Sequence, residues 1–158
     1  MSRFKFGGAE NPDMYFDENG RRILMSIRNA FSALGQTLAT RGSKDSALRV
    51  LNYGYTMLNR TTLAYGMTSA YNQQDVSSLQ YAYSFYQAGD PIKGRQIADA
   101  VLRDCHQQVD YYNSLSDTQA ADFSRDLQTA RQIISQAEGL EAQFAKPATS
   151  GETPKPVK

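Results

Sequence analysis

Two glycines, Gly42 and Gly89, stand 47 residues apart, and each closes one apolar helical stripe and opens another. Before Gly42 run Phe31, Leu34, Gly35 and Leu38; after it come Ala47, Leu51 and Gly54. Before Gly89 run Leu79, Ala82, Tyr83, Phe85 and Tyr86; after it come Asp90-Pro91, Gly94, Ala98, Val101 and Leu102. Apolar residues three and four apart place one face of a helix in a core. A glycine directly after such a run supplies the positive φ that commonly ends a helix. The register is shared: a small residue stands five after each glycine (Ala47, Gly94), and an apolar one nine after (Leu51, Ala98). The pattern predicts two helical hairpins in one all-α domain.

A helix–turn–helix unit with this internal order resembles the tetratricopeptide repeat, which is about 34 residues long. The wider spacing here implies an insertion of roughly a dozen residues between units, placed at Arg60–Asp75. Asn59 stands where such a repeat carries proline, and Gly94 where it usually carries alanine. The competing reading is a plain antiparallel helix pair, which would also have a glycine at its turn.

In chain order, Ser2–Phe16 carries turn signals at Gly7-Gly8 and Asn11-Pro12-Asp13 and reads as a non-helical aromatic arm over the core (1–16). Asp17 is a natural N-cap for helix one, Glu18 to Arg41, with Leu24, Ile27, Phe31, Leu34 and Leu38 on its buried face. Helix two is expected over Lys44–Asn59, burying Ala47, Leu48, Leu51, Tyr55 and Leu58. Thr61–Gln74 reads equally as a short helix or an ordered loop. Helix three covers Val76–Ala88. Helix four starts at Asp90-Pro91, where proline's missing N–H does no harm, and runs to about Ser114 on Ile97, Val101, Cys105, Val109 and Tyr112. Ser116 or Asp117 caps a fifth helix to about Ala145, with Phe123, Leu127, Ala130, Ile134 and Ala137 on one face, covering the end of the array. The helical domain thus spans 17–145. Residues 146–158 hold three of the five prolines among Lys, Thr, Ser and Gly, and read as a disordered tail.

Chemistry is sparse. His106 is the single histidine and Cys105 the single cysteine, so neither a histidine pair for a metal nor an internal disulfide is available. Adjacent helical residues point about 100° apart, so Cys105 and His106 do not face each other as nucleophile and base; Cys105 belongs to the apolar stripe. Asp104 and Asp110 are scattered carboxylates, and Gly7-Gly8 lacks the context of a phosphate loop. Arg21, Arg22 and Arg28 could hold an anion, but the plainer reading is a solvated face paired with Asp17 and Glu18. No catalytic residue, cofactor or metal site is predicted. A formal net charge of +1 without long single-sign blocks argues against nucleic acid. Mean hydropathy is −0.56, and no stretch approaches the ~18 apolar residues of a membrane span.

One further resemblance covers about two thirds of the chain. Its residues are Phe4-Lys5-Phe6-Gly7-Gly8, Tyr15-Phe16-Asp17-Glu18, Arg22, Arg28 and Phe31, then Leu38, Gly42, Ala47 and Leu51, the Tyr86–Gly89 turn, and Tyr111-Tyr112-Asn113-Ser114-Leu115. In this order they resemble the soluble C-terminal region of bacterial multi-pass membrane proteins related to protein O-mannosyltransferases. The resemblance implies a chain that is the tail of a longer protein, with catalysis in a transmembrane part and no catalytic residue to carry over. It implies a place on the periplasmic face of an inner membrane; a complete chain without the apolar core of a signal peptide would instead be cytoplasmic. The expected function is a non-catalytic module binding a peptide, a protein partner or the parent's own membrane domain. The alternative is a free-standing cytoplasmic tetratricopeptide-like scaffold. In the repeat register, the first helix of each pair lines a groove, with Asn29, Ser32 and Gln36 from one unit and Tyr83 and Tyr86 from the other. Tyrosine suits peptide recognition at low entropic cost. The competing reading, slightly favoured, packs those two rings on neighbouring helices or on the aromatic arm.

Overall fold

In the computed structural model, which describes residues 6–58, 60–69 and 72–145, six helices and no strand occur among the described residues. They are α1 (Glu18–Thr40), α2 (Lys44–Met57), α3 (Gln73–Ala88), α4 (Pro91–Asn113), α5 (Asp117–Asp122) and α6 (Ser124–Ala145). Phe4 and the expected tail lie outside the described residues.

Local signals explain the boundaries. The Asp17 carboxylate accepts from the Gly20 amide at 2.7 Å and starts α1. Asp90 does the same for α4 through Lys93 N–H at 3.1 Å, with Pro91 in the first turn. Gly42 (φ +81°) and Gly89 (φ +95°) both hold the left-handed conformation, at the two turns predicted. Thr61–Ser69 forms turns rather than a helix. Asn72, left-handed at φ +50°, precedes α3, which begins three residues earlier than its apolar pattern indicates. The expected single terminal helix is instead two. Phe123 leaves helical geometry (φ −103°, ψ 8°) and stacks on Tyr112, with ring centroids 5.5 Å apart.

Helix α3 is the hub, packing against α1, α2, α4 and α6. Its Tyr81, Ala82 and Phe85 are closed off from solvent. They meet Ala47 and Leu51 of α2, Ile97, Ala98, Val101 and Cys105 of α4, and Ala130, Ile133 and Ala137 of α6 in one cluster. The repeated register is therefore buried in both hairpins. Close approach depends on glycine at two places. A Cβ on Gly35 would come within 2.5 Å of the Leu51 side chain, and one on Gly94 within 2.8 Å of the Tyr86 ring. A second cluster joins Phe6 and Ala9 of the arm to Leu24, Leu58 and Leu63. Phe6 contacts the rings of Phe31 and Tyr53 edge-on or tilted, so this part of the arm packs over the helices as expected.

Two expectations for α1 need correcting. Leu34 is 45% exposed, and Arg28, expected on a solvated face, is 1% exposed. The buried stripe of α1 is Leu24, Arg28, Ser32, Gly35 and Ala39, rotated from the purely apolar 3-4-3-4 set. It rotates because α3 offers α1 polar partners. Ser32 bonds Ser84, Asn29 accepts from Ser77, and Gln36 accepts from Gln80.

Candidate functional site

Among the described residues, three features stand out: a buried guanidinium, a carboxyl pair and an uncharged cleft. The first is the α1–α3 seam. The Arg28 guanidinium donates to the Leu63 carbonyl, to the Ala64 carbonyl at 3.4 Å and to Ser78 Oγ at 3.1 Å. It lies over the Tyr65 ring. These partners are all neutral, and burial lowers the Arg28 pKa to about 10. The same burial raises the phenols of Tyr65 and Tyr81 well above their ordinary value. Tyr81 donates its hydroxyl to the Leu51 carbonyl at 2.6 Å. Arg28 therefore fastens the α2–α3 connection to the core and presents no charge to a ligand.

The second feature is a carboxyl pair beneath the same connection. Asp75, fully buried, accepts from the Met67 amide at 3.3 Å. Gln108 Nε2 donates to Asp75 Oδ2 at 3.2 Å and to Asp104 Oδ2 at 2.6 Å. Burial first, then the charge of Asp104, pushes Asp75 up to about 7. Burial likewise lifts the neighbouring Cys105 thiol to about 12, with Asp75 and Asp104 adding to it. A thiol held protonated in this way is a poor nucleophile. Among the described residues, no three His, Cys, Asp or Glu side chains come together as a metal site.

The third feature is an open cleft of about 410 Å³ between α3 and α6. Val76, Leu79, Gln80 and Tyr83 line one wall; Gln136, Gly139, Leu140 and Gln143 line the other. None of these side chains is charged. A Cβ on Gly139 would meet nothing within 4 Å, so at this position the wall is backbone facing open space. The glutamines offer both donors and acceptors.

The five residues predicted to share a groove are dispersed. Ser32 is 1% exposed, its hydroxyl 2.8 Å from Ser84 Oγ. Tyr86 is 6% exposed, its ring stacked on Phe144 of α6 at 4.9 Å. Both lie in the interior, because α1 and α6 press directly on α3. Asn29 and Gln36 reach the surface but are bonded to Ser77 and Gln80. Tyr83 remains half-exposed, edge-on to Phe144 and accepting from Gln87, and it alone of the five lines the α3–α6 cleft. Gln80 then links that cleft to Gln36 across α3. The sequence reading did not single out Gln80, Gln136, Gly139 or Gln143. A helical glycine between Gln136 and Gln143 was the available signal.

No helix among the described residues is long and apolar enough to cross a membrane. No family model, curated protein or solved structure matches the chain.

Proposed function

We propose that the chain is a non-catalytic interaction module of tetratricopeptide-like helical hairpins, and that it takes a peptide or protein partner along the α3–α6 cleft. The observation that carries this reading is the uncharged cleft with a bare glycine in one wall. It pairs a half-exposed tyrosine with glutamine carboxamides, which can bond a peptide backbone while Leu79, Leu140 and Val76 supply apolar contact. The expected setting, from the resemblance above, is the soluble C-terminal part of a membrane glycosyltransferase-like protein, with the parent's own membrane domain as one candidate partner. Selection of binders from a random-peptide library tests the reading. Enriched peptides should be poor in charged residues and should shift the amide resonances of Gln80, Tyr83, Gly139 and Gln143. Enrichment of peptides that perturb only other faces would reject it, as would no enrichment at all.

A further inference from the structure

Two acids share one amide at the base of the α2–α3 connection. Gln108 Nε2 reaches Oδ2 of both Asp75 and Asp104, so the two carboxyls converge on one nitrogen. Each also holds the connection. Asp75 accepts from the Met67 amide, and the Thr68 hydroxyl stands 3.5 Å from Asp104 Oδ2. The connection is seated closely there: a Cβ on Gly66 would overlap the Ala100 carbonyl of α4. We propose that the Asp75–Asp104 pair, bridged by Gln108, is a proton-dependent latch that holds residues 66–68, between α2 and α3, against α4 and loosens them when Asp75 ionises beside Asp104.

The groups around Asp75 support this. From α4 it faces Asp104, Gln108 and the Cys105 thiol, with Tyr112 in electrostatic reach of Asp104. From the connection it faces the Met67 amide. Arg60 and Arg103 stand with Asp104 along an open cleft of about 640 Å³, and neither is a hydrogen-bond partner of Asp75. Arg28, the buried cation of α1, directs its donors to Leu63, Ala64 and Ser78. Among the described residues, no ion pair reaches Asp75 or Asp104. With one proton taken from solvent, Asp75 can donate O–H to the Asp104 carboxylate, turning repulsion into an attraction. With that proton released, the Met67 and Gln108 donors hold the Asp75 anion more strongly but do not offset its burial beside Asp104, and the relief is water entering as Met67 and Thr68 draw away. The 640 Å³ cleft, walled by Tyr65, Gly66 and Asp104, would widen with that movement.

The experiment is hydrogen exchange at the Met67 amide, corrected for intrinsic rate, in the full chain carrying His106→Gln. That background removes the single imidazole, the side-chain type that ordinarily changes charge near neutrality. Protection should fall about ten-fold between about pH 5.5 and about pH 8, and adding Asp75→Asn should reduce the change to less than about two-fold. Asparagine keeps an acceptor for Met67 and cannot ionise. Unchanged protection without Asp75→Asn, or an undiminished fall with it, overturns the latch. If the Asp75→Asn chain does not fold, carbon-13 titration of the Asp75 carboxyl in the parent chain decides. Ionisation near neutrality supports the latch, and ionisation complete below about pH 5 overturns it.

Discussion

The Arg28 guanidinium carbon lies 4.6 Å from the centre of the Tyr65 ring, a cation–π contact made where water is excluded. The two stand 37 positions apart in sequence. Their contact turns an otherwise irregular connection into part of the core, because the same guanidinium also takes the Leu63 and Ala64 carbonyls.

Removing that guanidinium leaves the Leu63 carbonyl without its buried donor, although Ala64 keeps Gln74 at 2.7 Å. Arg28→Met should therefore cost about 2–3 kcal/mol in urea unfolding. Arg28→Lys should do no better, since a single ammonium cannot serve two carbonyls, a hydroxyl and a ring face at once. A loss below about 0.5 kcal/mol for either variant would mean that the connection is held elsewhere.

A Cβ added to Gly42 would meet nothing within 4 Å, so any penalty for a side chain there is conformational. Gly42→Val should lose on the order of 1–2 kcal/mol, from a β-branched side chain forced to positive φ. Gly42→Asn should lose less, because asparagine tolerates the left-handed region. Thermal melting of both variants checks the order.

Two helical glycines should respond to alanine with opposite signs. Gly139→Ala meets open space and should gain up to about 1 kcal/mol of helix propensity. Gly35→Ala gains the same propensity but drives a methyl into Leu51, and should lose about 1–3 kcal/mol overall. Chemical denaturation of the pair reads out the difference directly.

Much of the fold was legible because its signals are local. The turn glycines, the caps at Asp17 and Asp90, and the buried register of Ala47, Leu51, Gly94 and Ala98 all follow from spacing within one hairpin. Cys105 fell on the stripe that buries it. The polar interior was not legible. Arg28, Ser32, Asp75 and Gln108 find partners 33 to 52 positions away, and an apolar-periodicity argument counts such residues as surface. That rule put Leu34 inside and Arg28 outside. The break at Phe123 depends on stacking with Tyr112 from another helix. The open cleft was missed for a related reason: a groove wall is defined by what does not cover it.

The carboxyl pair gives stability a direction with pH. Asp75 is raised to about 7 in the fold and has the ordinary carboxyl value when unfolded. Between those values the folded chain binds more protons than the unfolded chain, so stability is fullest below about pH 4 in this contribution and falls as pH rises through about 7. Asp75→Asn should remove that slope, melting above the parent chain at pH 8 and close to it at about pH 4. Calorimetry across the range measures it, with His106→Gln carried in both chains.

The binding of a selected peptide to the parent chain and to Gly139→Leu tests the central claim most directly. Leucine at this position enters open space on a helix that favours it, so it fills the α3–α6 cleft without disturbing the core. Calorimetric titration should show affinity reduced by about ten-fold or more, about 1.4 kcal/mol, while the melting temperature holds or rises. Equal affinity for both chains, at equal stability, would contradict the assignment of the cleft as the binding face.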